Sequence, residues 1–456
     1  MTDTFNSYTV NKAIGLSIGF LIGIMPVAEY NVPVLIILMS VVFGIKHVDR
    51  QAAKAAFPII LYCVSMIGFM IYHPGWLEYD HTLATILATI ALAAVPMVAM
   101  FKIYVGSVER IETAALVGLL TIFTIMAYQY LILNGCRVKA FSVNPLGPPI
   151  TFLPFAMYVI SVRAFARRFN LLDGLVLVSL FTTLGAFAGA RASFYSVTLL
   201  SIILATFLFF NMKIRQGLFV FACLGLGIWG AVSIDKCGTF NRMSEHLNFF
   251  TSSFNQLQTM HVSNIENSTA PSLHNKTFLI EPELNQILTS KQIVLLPAQY
   301  SFSSTDSFGI QPIKTSLEYE NVSRTTFDRA QAADDGLRAE MWSNAIAHLF
   351  ALHDFNQILF GSGRLVEGQL SFQHPDVHNQ YLSWLVSTGV VGFIVAFLMF
   401  TPGLRQLFVN PAVFIFLSAC AIGYVTDSQM FRKDTTAQFL IMLLFVQSLL
   451  GQRRRS

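Results

Sequence analysis

The chain has 456 residues, of which 54% are hydrophobic and only 12% are charged. A soluble globular domain carries about 25% charged residues, so this composition excludes an ordinary soluble protein. The net charge of +4 is modest and gives no support for a nucleic-acid-binding protein.

The apolar residues are concentrated in runs of about 17 to 22 residues, the length that an α-helix needs to cross a bilayer. Open sheets cannot span lipid, so the runs predict an all-α, polytopic membrane helix bundle. We predict twelve transmembrane helices, of which the second is short, at about residues 12–29, 31–45, 56–72, 83–101, 113–132, 149–166, 172–189, 193–210, 217–233, 380–400, 411–426 and 435–450.

The Lys and Arg residues predict the orientation, because cytoplasmic loops are enriched in them. With the N-terminus inside, 15 of them fall in cytoplasmic segments and 5 in short outer loops. The first set is Lys12, Lys46, Arg50, Lys54, Lys102, Arg110, Arg163, Arg167, Arg168, Lys213, Arg215, Arg405, Arg453, Arg454 and Arg455. The second set is Arg137, Lys139, Arg191, Arg432 and Lys433. We therefore expect both termini in the cytoplasm.

One outer segment, residues 233–379, is much longer than the other loops and holds 9 basic and 15 acidic residues. It separates residues 1–232, with nine predicted transmembrane helices, from residues 380–456, with three more and a basic cytoplasmic tail. Near its end, apolar residues recur at helical spacing and predict an amphipathic helix on the membrane surface or against the bundle. These residues are Leu337, Met341, Ala345, Leu349 and Leu352.

The stretch from His374 to Phe400 joins a polar segment to a long apolar run. A helix-start signal there predicts Asp376 as the N-cap, so that His378 falls in the first helical turn. Gly389 and Gly392 then return to roughly the face of His378, where another helix or a lipid chain can come close. A helix N-terminus attracts anions and disfavours a protonated imidazole, so His378 suits a general base beside a phosphate. The alternative is an interfacial His that hydrogen-bonds locally.

Three other charged residues are predicted on the same outer side. Arg191 lies in the short turn between the seventh and eighth spans, as a phosphate clamp or as an interface anchor. Arg338 lies near the start of the amphipathic helix, where it can stack on Trp342 or stay solvated. Asp427 lies at the outer end of the eleventh span, where it orients a substrate group or pairs with the basic residues that follow it.

Two arginines, a histidine and a carboxylate on one side of an apolar bundle favour a particular chemistry. Arginines can neutralise a diphosphate leaving group without a metal. A neutral histidine can accept the proton of an attacking hydroxyl. We therefore expect transfer of a group from a lipid diphosphate to an acceptor hydroxyl outside the cytoplasm, with no metal and no cofactor.

The five cysteines fall into two groups. Cys63, Cys223 and Cys420 lie in predicted spans and are expected to be small apolar residues. Cys136 and Cys237 both lie on the outer side, where a disulfide can persist. The sequence leaves open whether they are bridged, since it does not show how close they come.

The segment that begins at His378 also resembles a known family. His378 and Asn379, followed after nine residues by Gly389 and after two more by Gly392, are similar to the H-N-x9-G-x-x-G signature of the bacterial O-antigen ligase family. The related O-antigen and exopolysaccharide polymerases share a looser form of this signature.

The order of the surrounding features is similar to the same family. Arg191 lies in a short turn before a late span, a long outer loop follows, and an R-x-x-x-W pattern begins at Arg338. A G-x-G turn at Gly361 and Gly363 then precedes the histidine. The resemblance covers about residues 180–400.

The resemblance implies a metal-independent glycosyltransferase at the periplasmic face of the bacterial inner membrane. It would move a glycan from undecaprenyl diphosphate to an acceptor hydroxyl. By position, His378 would activate that hydroxyl, and Arg191 and Arg338 would hold the diphosphate. Asn379 and Asp427 complete the expected substrate-binding set, although Asp427 matches a late carboxylate of the ligases only loosely.

The acceptor distinguishes the alternatives. An O-antigen ligase of lipopolysaccharide biosynthesis uses lipid A-core, and this is the first expectation. A polysaccharide polymerase would use a second lipid-linked repeat unit, and the outer loop is longer than expected for a ligase. A transporter of a lipid-linked sugar belongs to a different class, and it would place polar residues deep in the spans and broken helices near the midplane.

Overall fold

The computed structural model describes residues 2–27, 31–105, 111–133, 138, 147–188, 190–240, 341–371, 379–426, 430 and 433–453. Every regular element in these ranges is a helix. The ranges belong to one compact unit, which comprises residues 1–245 and 333–456. The predicted all-α fold is therefore confirmed for this part of the chain.

We number the α-helices of the described ranges in chain order. The first ten are α1 Thr2–Ile24, α2 Asn31–Met39, α3 Arg50–Tyr72, α4 Trp76–Tyr79, α5 His81–Met100, α6 Ile111–Leu131, α7 Gly147–Phe165, α8 Leu171–Thr182, α9 Arg191–Phe210 and α10 Ile214–Ile234. The later ones are α11 341–351, α12 Phe355–Phe360, α13 Arg364–Leu370, α14 Gln380–Leu398, α15 Thr401–Leu404, α16 Pro411–Thr426 and α17 Lys433–Arg453. Turns of π-helix extend α2, α5 and α8, at Ser40–Gly44, Phe101–Val105 and Thr183–Phe187.

Many of these helices are apolar enough for a membrane. By length and composition, six could also cross it, namely Arg50–Tyr72, His81–Val105, Ile111–Leu131, Ser193–Phe210, Ile214–Ile234 and Gln380–Leu398. Six shorter apolar segments lie at the other predicted positions, namely Thr9–Ile24, Asn31–His47, Leu153–Phe165, Leu171–Phe187, Pro411–Val425 and Thr435–Leu449. Large apolar side chains are exposed on the long helices, including Leu92 at 83% and Phe210 at 81%. Such surfaces need a lipid environment, so the chain is a membrane protein.

α14 folds back on itself at Gly389, because the rings of Tyr381 and Phe397 are only 6.4 Å apart, whereas 16 residues of straight helix would span about 24 Å. The second half of α14 runs antiparallel to α3. His73, just after α3, is hydrogen-bonded to Phe360, in a turn that packs on the first half of α14. Lys54, in the first turn of α3, lines a cavity together with Arg405, which follows α14 and α15. We call the end of the bundle where α3 ends, beside the Gly361 turn and Gly389, the His73 end, and the opposite end the Lys54 end.

α9 and α16 also run antiparallel. The rings of Phe207, near the end of α9, and Phe414, near the start of α16, are 5.5 Å apart. The Tyr381 hydroxyl, near the start of α14, donates a hydrogen bond of 3.1 Å to the Ala421 carbonyl, near the end of α16. Lys213, just after α9, donates a hydrogen bond to the Phe165 carbonyl at the end of α7. α9 therefore ends at the Lys54 end, and its first residue, Arg191, lies at the His73 end.

A buried ion pair fixes the turn between α7 and α8 at the Lys54 end. The Arg163 guanidinium donates to both oxygens of Asp173, at 2.5 and 3.1 Å, and to the Thr113 hydroxyl at 2.8 Å. Asn170 caps α8 in a capping box with Asp173. A paired and fully hydrogen-bonded guanidinium can be buried at the end of an apolar bundle, whereas an unpaired one is costly.

Candidate functional site

The helix that follows His378 is capped by Asn379. Its Oδ1 atom accepts a hydrogen bond of 3.1 Å from the backbone N–H of Leu382, and the residue is only 8% exposed. The predicted N-cap at Asp376 is therefore wrong, and His378 precedes the cap instead of lying in the first turn. Asn379 is the cap because its side-chain oxygen satisfies a backbone donor that the first helical turn leaves unpaired.

The loop between α16 and α17 is joined to the start of α14. The backbone N–H of Met430 donates a hydrogen bond of 2.7 Å to Oε1 of the buried Gln380. Gln380 is the first residue of α14, and Met430 belongs to the same loop as Asp427. This bond holds part of that loop against the helix start next to His378.

α14 is not one continuous helix, because its backbone reverses direction at Gly389 and the rings of Tyr381 and Trp384 contact Phe393 in the second half. Gly389 has φ 64° and ψ −165°, a combination that only glycine adopts readily. The turn at Gly361 packs into the kink, where the backbone N–H of Ser362 donates a hydrogen bond of 2.7 Å to the Val386 carbonyl. At Gly389 the expected close approach is therefore made by the G-x-G turn, whereas Gly392 faces Thr388 and the Phe69 ring of α3.

Each glycine of this contact has a steric reason. A Cβ atom at Gly361 would come within 2.5 Å of the backbone of Ser387 and Thr388. A Cβ atom at Gly392 would lie 2.0 Å from the Thr388 hydroxyl oxygen and 3.2 Å from the Phe69 ring. The spacing of the motif glycines therefore follows from one packed unit, formed by the kink in α14 and the turn that fills it.

A buried carboxylate lies behind this turn. Glu367 is fully buried, and its oxygens accept hydrogen bonds of 2.5 Å from the hydroxyls of Ser383 and Ser387. The guanidinium of Arg364, 3% exposed, donates another at 2.7 Å. Ser383 and Ser387 are four residues apart on α14, so they share a face. The network joins α13, which precedes His378 in the sequence, to α14, which follows it.

Two histidines contact the G-x-G turn. His73 Nε2 lies 2.9 Å from the Phe360 carbonyl oxygen, to which the neutral ring donates its proton. His348 Nε2 and the Ser362 hydroxyl are hydrogen-bonded at 2.9 Å. Burial lowers the pKa of His73, and the hydrogen bond to Phe360 opposes that effect only in part. Burial also lowers the pKa of His348.

α11 covers this region on one side. Its residues Met341 and Ala345 are buried, and Ala345 packs with Val386 of α14. Phe350, on the other side of α11, is 85% exposed. The predicted amphipathic helix is thus observed over 341–351, and of its two expected placements it adopts the one against the bundle.

The predicted site residues are only partly covered by the structure. Arg191 begins α9, but its side chain is not described. Arg338, His378 and Asp427 lie outside the described residues. Asn379 is the one predicted site residue with a described side chain, and that side chain caps α14.

Several residues of the arrangement were not predicted from the sequence, namely His73, His348, Arg364, Glu367, Ser383 and Ser387. Arg364 and Glu367 carried a signal, because opposite charges three residues apart can pair on a helix. The serines carried none, since a hydroxyl in an apolar helix more often bonds to its own backbone.

The described cysteines fall into the two expected groups. Cys63, Cys223 and Cys420 are buried free thiols, and Cys237 is disulfide-bonded. Cys136, whose pairing with Cys237 the sequence left open, lies outside the described residues. In the part of the chain that the structure describes, no three His, Cys, Asp or Glu side chains are grouped as metal ligands would be.

Comparison with known proteins assigns no family to this chain. No protein-family model matches it, and no curated protein is significantly similar to it. A function must therefore be argued from the residues and from their arrangement.

Proposed function

We propose that this protein is a glycosyltransferase of the bacterial inner membrane that moves a glycan from undecaprenyl diphosphate to an acceptor hydroxyl at the periplasmic face. The first acceptor that we propose is lipid A-core, as in an O-antigen ligase. The twelve predicted spans, the cytoplasmic termini and the outer position of residues 233–379 are part of the same proposal.

One observation carries the proposal, namely the contact between Gly361 and Gly389. The G-x-G turn and the H-N-x9-G-x-x-G segment are separate parts of the family pattern, and in this protein they pack as one unit. The two parts of the unit lie on either side of His378 in sequence, and the unit is at the His73 end, where α9 also begins with Arg191. This arrangement supports a shared role for these segments.

In the proposed reaction, the acceptor oxygen attacks C1 of the glycan and the bond from C1 to the diphosphate oxygen breaks. His378 accepts the proton of the attacking hydroxyl. Arg191 and Arg338 neutralise the charge on the departing undecaprenyl diphosphate. Asp427 orients the acceptor. A position of Asp427 near the start of α14 is supported by the hydrogen bond from Met430, three residues later, to Gln380.

A glycolipid profile tests this proposal. Cells that lack the protein are complemented with wild type, with His378→Ala or with a control, His353→Ala, whose side chain is exposed on the loop after α11. We expect wild type and the control to restore long glycan on lipid A-core, while His378→Ala leaves polymer on undecaprenyl diphosphate. Full complementation by His378→Ala would rule out the proposed base.

The profile also separates the two acceptors. Accumulation of single lipid-linked repeat units without the protein would identify a polymerase, whose acceptor is a second lipid-linked unit. Reconstitution of the purified protein with the lipid-linked glycan then measures release of undecaprenyl diphosphate directly. Chelation of divalent ions should leave this release unchanged.

The kink at Gly389 is the observation that favours a transporter instead, because broken helices line the binding sites of many transporters. In this chain the kink is filled by the backbone of the G-x-G turn, and Gly389 is buried. The kink is thereby explained by packing. Transport would be supported if vesicles moved a lipid-linked sugar across the membrane without forming a glycan product.

A further inference from the structure

A cavity of about 540 Å³ lies at the Lys54 end of the bundle. It is bounded by the first half of α3, the end of α14, the region of α15 and the end of α17. Its lining residues are Gln51, Lys54, Ala55, Phe57, Pro58, Leu61, Leu398, Thr401, Pro402, Arg405, Gln406 and Gln447.

The lining combines two cations with apolar walls. Lys54 and Arg405 are both exposed, and no Asp or Glu is among the lining residues. Asp49, just before α3, is paired with Lys102 at 3.0 Å, and Lys102 also contacts Gln51, one of the lining residues. The mouth of the cavity therefore carries a net positive charge that its own residues do not neutralise.

An apolar stripe leads away from the cavity along α3. Phe57 lines the cavity, and its side chain is 59% exposed. Val64, which is 56% exposed, and Ile71, which is 66% exposed, follow at intervals of seven residues. Residues seven apart lie on nearly the same face of a helix. At 1.5 Å per residue the stripe is about 21 Å long, which exceeds the roughly 15 Å thickness of one hydrocarbon leaflet.

We propose that this cavity binds an anionic phospholipid. Its phosphate lies between Lys54 and Arg405, and one acyl chain follows the stripe of Phe57, Val64 and Ile71. Basic pockets between membrane helices suit acidic headgroups because both the charge and the apolar surface are matched. The guanidinium of Arg405 can bond two phosphate oxygens, while Lys54 adds a point charge. This binding site is independent of the glycan chemistry proposed above.

The test uses the purified full-length protein and two lipids with identical acyl chains, phosphatidylglycerol and phosphatidylcholine. Native mass spectrometry measures the bound lipid for wild type and for the double variant Lys54→Gln/Arg405→Gln. The control is Lys46→Gln/Arg215→Gln, which removes the same charge from two exposed residues outside the cavity lining. A third variant, Lys54→Arg/Arg405→Lys, keeps both charges.

We expect wild type to prefer phosphatidylglycerol, and the cavity double variant to bind it roughly 25-fold more weakly, because each basic residue contributes about a factor of five. The control and the charge-keeping variant should bind as wild type does. In wild type, phosphatidylglycerol should also raise the thermal unfolding midpoint more than phosphatidylcholine does, a measurement that needs no variant.

Three outcomes would overturn the proposal. Equal binding of the two lipids by wild type would show that charge does not select the occupant. An equal loss in the control variant would show that total charge, and not this cavity, attracts the lipid. Displacement of the lipid by millimolar soluble glycerol phosphate would show that the cavity recognises a free phosphate and that the apolar stripe has no role.

Discussion

The backbone nitrogen of Gly361 lies 2.5 Å from the position that a Cβ atom on Gly389 would occupy. Both residues have positive φ angles, 80° for Gly361 and 64° for Gly389. A side chain at either position would collide with main-chain atoms and would also need a backbone conformation that L-residues rarely adopt. This contact joins the G-x-G turn to α14 through backbone alone.

We expect Gly389→Ala and Gly361→Ala to destabilise the protein, because backbone strain alone costs about 1–3 kcal/mol and the collision adds to it. Gly68→Ala and Gly225→Ala are matched controls, since both glycines are helical and have no neighbouring atom within 4 Å of an added Cβ. Thermal unfolding in one detergent measures all four variants. Equal midpoints for Gly389→Ala and Gly68→Ala would show that the contact is not formed.

Glu367 should be a major determinant of stability in the region where α13 packs on the first half of α14. Replacement by Ala leaves the buried Arg364 without its carboxylate, and breaking a buried pair in this way costs about 3–5 kcal/mol. Glu367→Gln keeps the shape but removes the charge, so we expect a smaller loss. Glu78→Gln, at an exposed position, should leave the thermal midpoint unchanged.

The serines test whether the network acts as a unit. Ser383→Ala/Ser387→Ala removes two donors to Glu367 and should destabilise the protein. Combined with Glu367→Gln, the serine changes should add little, because their common acceptor is already altered. Strictly additive losses in this double-mutant cycle would mean that the three side chains act separately.

The two histidines at the G-x-G turn predict a pH dependence. Burial lowers the pKa of His73 and of His348 below the ordinary value of 6.5, so the unfolded chain binds more protons than the folded one as the pH falls past that value. Their contribution to stability is complete above about pH 6.5 and is lost as the pH decreases through the folded pKa values.

We expect the thermal midpoint of wild type to fall between pH 7.5 and pH 5 by more than that of His73→Gln/His348→Gln. The control His81→Gln/His353→Gln changes two exposed rings and should keep the wild-type dependence. Identical pH profiles for all three proteins would exclude a role for His73 and His348 in this transition.

The sequence predicted the helical fold well because the responsible signal is local. Run length and composition alone locate each apolar helix, and the helical spacing of Met341, Ala345 and Leu349 marks the buried face of α11. The prediction placed the N-cap at Asp376 instead of Asn379 because Asp and Asn are both good caps. Only the observed hydrogen bond from Leu382 to Asn379 identifies the actual cap.

The tertiary contacts of the site were not predictable in the same way. Glycines on one helix face predict that another segment comes close, but they do not indicate which segment it is. That depends on the path of a turn elsewhere in the chain. Gly361 meets Gly389 because residues 355–370 fold back on α14, and no periodic pattern encodes that path. The hydrogen bonds of Glu367 to Ser383 and Ser387 depend on the same fold.

Asn379 allows a test of whether a residue next to His378 binds substrate or positions the helix. Its side-chain oxygen is engaged with Leu382, so we expect a positioning role. Asn379→Ala should lose about 1 kcal/mol of stability with the cap. Asn379→Asp keeps an oxygen acceptor and should retain both the thermal midpoint and most glycan transfer. Asn170→Ala removes a comparable cap from α8 at the Lys54 end. This variant measures how far a loss of stability alone reduces glycan transfer.

The outcome for Asn379→Asp decides between the two roles. If this side chain serves only as the cap, glycan transfer should fall in proportion to stability in Asn379→Ala and Asn379→Asp. Asn379→Ala should also lose more transfer than Asn170→Ala, because the Asn379 cap is next to His378 and the Asn170 cap is not. An Asn379→Asp protein that unfolds at the wild-type temperature but transfers no glycan would instead assign the amide group to substrate binding. In that case the hydrogen bond to Leu382 would serve to hold the amide in place for the ligand.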